Sequence, residues 1–162
     1  MHSPTNTRSA WPLPRRLLRT YGAGEAKLNA YLSDYAFLIN GLLALHRATD
    51  DKAWLNAAQK LQAKQDELFA DKTGGGYYFT SKDHETLLVR TKRYVDSAQP
   101  SGNSVSAENL VRLARLTKEK RYQEQAGKIF DAASVLLSRA PYAAPRLATA
   151  WLAKQRAEAA KP

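Results

Sequence analysis

The sequence predicts an all-α fold of antiparallel helical hairpins with a small β-hairpin inserted between them. Three observations predict it. From Tyr31 onward, apolar residues recur at helical spacing. A pair of patterns, one apolar on nearly every side and one amphipathic, occurs twice at a constant offset of 68 residues. Between the two pairs lie 33 residues, Asp71 to Asn103, that lack a helical period but carry turn and strand signals of their own. With 162 residues, 44% hydrophobic and 25% charged, the chain has the size and balance of one folded domain, not of a disordered polymer.

Residues 1–30 read as a leader, partly irregular. Met1 to Pro14 holds three Pro among Ser, Thr and Asn and shows no apolar period. Arg15 and Arg16 precede only Leu17 and Leu18 before Arg19 ends the run, too short for the apolar core of a signal peptide. The helical domain is expected over residues 31–159. Asp34 to Thr49 is apolar on almost every face (Ala36, Phe37, Leu38, Ile39, Leu42, Leu43), which predicts an inner helix covered all round. Asp51 to Phe69 carries one stripe, Trp54, Ala58, Leu61, Leu68 and Phe69, and so predicts an outer helix with Asp50 as its N-cap.

Gly74-Gly75-Gly76 marks a turn, Tyr77 to Thr80 is a strong strand former, and Leu87 to Val89 is its expected partner. The second inner helix is expected over Ser104 to Leu116, and the second outer one from Tyr122 to Leu137. Setting Leu42 against Leu110 places Leu45 on Leu113, Trp54 on Tyr122 and Ala58 on Ala126. A third inner pattern begins at Ala143. Helix pairs too small to bury their own faces imply a stacked or circular array.

Composition removes several kinds of chemistry. Without Cys there is no disulfide scaffold, thiolate nucleophile or redox dithiol. His2, His46 and His84 stand in no metal-ligand spacing, and no glycine-rich nucleotide loop follows a strand, so neither metal nor cofactor is expected. No apolar run is long enough to span a membrane. The net charge of +10 sits mainly at the ends: residues 1–30 and 139–162 each carry five basic groups and one acid, leaving +2 for the middle. Nucleic-acid binding is therefore not expected, since it needs a basic stripe on an ordered element. A cytoplasmic location is the expectation.

Two strings carry a resemblance. DYAF at Asp34 to Phe37, and DxxxPSGNS from Asp96 to Ser104, within a match spanning about Arg16 to Trp151, make the chain similar to the thioredoxin-domain-containing proteins of the spermatogenesis-associated type. The resemblance implies part of an (α/α)6 toroid, the six-hairpin glycosidase-like fold shared with sugar 2-epimerases and several glycoside hydrolases. The thioredoxin-like domain of that family, some of its hairpins and its closing segment have no counterpart here. The chain is therefore expected to be a fragment, inactive on its own, of a carbohydrate-acting hydrolase or isomerase. The histidine bases of the 2-epimerases also have no convincing counterpart.

In such a toroid the inner helices start at the mouth of a central funnel. Asp34 and Asp96 then become the candidate catalytic carboxylates, because glycosidic chemistry needs two acids roughly 5–10 Å apart. The plainer role for Asp34 is to cap its helix. Tyr35 and Tyr78 are the expected walls. Arg90, Lys92 and Arg93 form a basic run whose plainer role is a solvated surface. One of them facing the funnel, Arg90 and Lys92 foremost, would favour a carboxylated or phosphorylated ligand. Ser101, Gly102, Asn103 and Ser104 are expected either to cap the following helix or to offer polar contacts. The expected partner is a sugar-like small molecule. A different class of function, docking of a thioredoxin-like domain or self-association, would use apolar inner faces left open.

Overall fold

The computed structural model describes residues 16–84 and 89–159. Strands β1 (Leu18–Gly22) and β2 (Glu25–Asn29) form an antiparallel ribbon. It turns through Ala23 and Gly24, both at positive φ, as a two-residue hairpin matched to strand twist requires. Helices α1 (Leu32–Thr49), α2 (Lys52–Phe69), α3 (Gly102–Thr117), α4 (Lys120–Ala132), α5 (Ser134–Arg139) and α6 (Pro145–Ala159) follow, with a 3-10 turn at Pro141–Ala143.

The two expected repeats fold with the same corner. Thr49 Oγ1 donates to Leu45 O and Thr117 Oγ1 to Leu113 O, both at 2.8 Å. The same hydroxyls accept from Asp51 N and Glu119 N, both at 3.3 Å. Asp50 and Lys118 between them are left-handed, with φ of 53° and 62°. Asp50 is thus the C-cap of α1, and it is Asp51 that caps α2 by accepting from Ala53 N at 2.8 Å. The residue before a helix is fixed by where the previous one ends, and the corner claims Asp50 first.

These corners make two antiparallel hairpins, α1 on α2 and α3 on α4, while α1 and α6 flank α3. Gly102 at the start of α3 lies so close to α1 that a Cβ there would stand 2.8 Å from the Leu32 side chain. The Asp96 carboxylate accepts from Ser101 N (2.8 Å) and Arg146 N (2.9 Å), joining the starts of α3 and α6. The three inner helices therefore begin at one common rim. Between the layers lies a core of Tyr35, Ile39, Phe69, Leu110, Leu113, Tyr122, Ile129 and Leu147, each essentially without solvent contact. The second outer pattern is broken at Ala133, which separates α4 from α5.

The two described strands fall at 18–29, inside the stretch expected to be a leader. Tyr77 to Thr80, expected to start a hairpin, forms no strand, although Phe79 N donates to Thr91 O at 2.8 Å. Leu87 and Leu88 are outside the described residues, and Tyr77 makes a single bridge to Ala70. One side chain replaces much of the missing ladder. Asn103 Nδ2 donates to Tyr77 O (2.9 Å) and Arg93 O (3.0 Å), while its Oδ1 accepts from Tyr77 N (2.8 Å). Backbone polar groups must be paired somewhere, and a fully buried amide with donors and an acceptor can serve two segments at once.

Candidate rim site

Where α1 and α3 begin, a pocket of about 140 Å³ opens among Leu32, Ser33, Phe79, Arg93, Ser101 and Gly102. Ser101 shapes its floor: the hydroxyl accepts from Ser104 N at 3.1 Å and meets Ser104 Oγ at 2.8 Å, capping α3. The string Pro100 to Ser104 is thus both a capped junction and a pocket wall, because the small side chains that cap a helix also let the chain turn away sharply.

Phe79 sits in a layered stack. Its ring lies 4.8 Å from that of Tyr31, nearly parallel, and the Arg93 guanidinium carbon is 4.5 Å from its centroid. Phe79 is thus in contact with both an aromatic ring and a cation. Arg19 lies 4.7 Å over Tyr31, whose ring is also 5.0 Å from that of His84. Such contacts combine stacking with attraction between a cation and the ring quadrupole.

The expected residues divide by what already holds them. Asp34 is the third residue of α1: its Oδ2 accepts from Tyr31 N at 2.8 Å and lies 3.9 Å from Arg19, with the side chain about a third exposed (34%). Asp96 has both oxygens engaged by amides, as described above. Tyr35 is fully buried, and Leu17 N donates to its hydroxyl at 3.0 Å; burial pushes the phenol above its ordinary value. Tyr78 lies under Arg90 at 4.1 Å, away from the pocket, while its neighbour Phe79 faces it.

Arg90 donates to Thr80 O (2.5 Å), and Lys92 pairs with Asp71 (2.8 Å), so both cations hold the interval between α2 and α3 in place. Asn103 and Ser104 are buried and engaged with the same interval. Ser101 and Gly102 are the expected residues that line the pocket. Sequence reasoning missed Phe79 and Arg93 as a pair. Strand alternation does separate Phe79 from Tyr78, but only the fold brings Tyr31 to it.

Among the described residues no group of three His, Asp or Glu is placed to hold a metal ion. A larger open groove of about 760 Å³ lies at the other end of α3 and α6 beside Arg115, Lys118 and Arg156; none of the expected residues lines it.

Over 127 residues, 78% of its length, the chain is 42% identical to a rat protein and 41% identical to a human one. Both are named spermatogenesis-associated protein 20. The chain spans about 16% of the length of these relatives. Among solved structures, a GH76 α-mannanase of Bacteroides thetaiotaomicron matches 87% of the chain and 39% of its own length, with a TM-score of 0.66 and 14% identity. That likeness shows the fold: the described helices form part of an (α/α)6 arrangement. No family model matches the chain. No described helix is long and apolar enough to cross a membrane.

Proposed function

We propose that the chain is a piece of a thioredoxin-domain-containing protein of the spermatogenesis-associated type, and that its helical domain binds a carbohydrate-like ligand at the rim pocket. One observation carries this reading: the only pocket among those described that the expected site residues line is formed where two inner helices start, with an aromatic side chain in its wall. Sugar sites need such a concave mixture of ring surface and small polar groups. Of the two expected acids, Asp34 is the candidate for an acid/base role: it stands at the start of α1 beside the pocket, outside its lining, with its side chain about a third exposed (34%). Asp96 is a positioning residue that holds the starts of α3 and α6 together.

The test is a titration with glucose, mannose and N-acetylglucosamine, followed by amide chemical shifts. Shifts confined to Phe79, Arg93 and Ser101 support the reading, whereas uniform or absent shifts overturn it. In the longer protein, Asp34→Asn is expected to preserve binding and abolish turnover.

A second reading rests on a different observation. Phe37, Leu38 and Leu45 on α1, and Trp151 and Leu152 on α6, are all exposed by 36–48%. These are large apolar groups on the two flanking inner helices, neither covered by this chain. As a second reading, we propose that a second copy of the chain packs on these apolar edges.

A further inference from the structure

The rim pocket has one charged residue in its wall, and it is a cation. Arg90 and Lys92 are tied to carbonyls and to Asp71, but Arg93 is not: among the described residues its guanidinium has a ring beneath it and no carboxylate or carbonyl beside it. The nearby acids are engaged elsewhere, Asp34 with Tyr31 N and Arg19, and Asp96 with Ser101 N and Arg146 N.

Neutral sugars are usually held on a bare aromatic face. Here Phe79 already has two groups against it, the Tyr31 ring at 4.8 Å and the Arg93 guanidinium at 4.5 Å. A ligand entering the pocket meets the edge of a stacked guanidinium. A planar cation resting on a ring keeps its fork of N–H donors free in the plane, a geometry that matches two oxygens of a carboxylate or phosphate.

We infer that the rim pocket selects an anionic sugar, one bearing a carboxylate or a phosphate, with Arg93 as the residue that sets this specificity. The inference rests on the sugar-site reading above and names its substrate class.

The experiment compares glucose, glucuronate and glucose 6-phosphate on the unaltered chain, with acetate and inorganic phosphate as ion-only probes. At least one anionic sugar is expected to bind about tenfold more tightly than glucose, the size of one charge-assisted hydrogen bond at a partly exposed site. Arg93→Gln should erase that preference, bringing the anionic sugars to the affinity of glucose, and Arg93→Lys should restore part of it. The side chain is solvent-exposed, so an unchanged melting curve is expected to accompany both variants. Comparison of glucuronate with glucose 6-phosphate identifies which anion the pocket prefers. Equal affinity for glucose and both anionic sugars overturns the inference and leaves the sugar site standing. Acetate or phosphate binding as tightly as the sugars overturns it as well, making the pocket a plain anion site. Failure of all three sugars overturns the site reading itself.

Discussion

Asp96 joins three parts of the chain. Besides receiving the Ser101 and Arg146 amides, its own N–H donates to Ala143 O at 2.9 Å. Asp96→Ala is expected to lower stability by about 2 kcal/mol, the loss of two charge-assisted bonds to amides at helix starts, read as a shift in the urea midpoint. Two other carboxylates make stability depend on pH. The Lys92 ammonium, with the Gly74 and Thr73 amides, holds Asp71 well below the usual carboxylate range, and the Arg16 guanidinium holds Asp83 down to about 2. Groups lowered in the fold stabilise it above their ordinary value near 3.8 and lose that contribution as protons bind the unfolded chain first. Stability should therefore fall from about pH 4 to about pH 2, and Asp71→Asn should flatten the slope while lowering stability at neutral pH. At this scale the sequence announced which residues were unusual, the DxxxPSGNS string above all. It did not announce that the string's side chains would be absorbed by backbone, because the partners, Tyr77, Arg93 and Arg146, lie 10 to 50 positions away in sequence.

The repeated corner is the element most legible in advance. A 68-residue offset put Thr49 on Thr117, and both threonines make the same two hydrogen bonds. What the offset left ambiguous was the boundary, since Asp50 and Asp51 are both good caps and only the left-handed turn decides between them. That turn strains a side chain at Lys118. Lys118→Gly is expected to stabilise the protein by up to about 1 kcal/mol, measured by thermal melting, because glycine adopts positive φ without a Cβ clash. The segment from Tyr77 to Phe79 has the opposite lesson: strand-forming residues need a partner at the right register. Here the backbone of Tyr77 pairs with Ala70 and the Asn103 side chain, and that of Phe79 with Thr91 and Leu32.

At the scale of the whole molecule, the fold class was readable from periodicity and repetition, since helix pairs of this kind have few ways to bury their faces. The open edges follow from the same pattern: α1 is apolar all round, yet this chain covers only part of it. If a second copy packs on these edges, light scattering after size exclusion should give twice the chain mass. Phe37→Lys with Leu45→Lys should return it to the single mass with helical content unchanged. A single mass for the unaltered chain overturns self-association.

The Asn103 amide has a bearing on motion. The segment around Tyr77 is tied by the Tyr78 N–Phe69 O and Phe79 N–Thr91 O bonds and by Arg90 and Lys92, and the Asn103 amide is the buried nail that joins it to the start of α3. Hydrogen–deuterium exchange should find this segment opening as a unit of its own, well before the hairpins do. Removing the nail with Asn103→Ala should release Tyr77 and its neighbours to solvent exchange and slacken the grip of the wall that carries Arg93, while the amides of α1 and α2 stay protected.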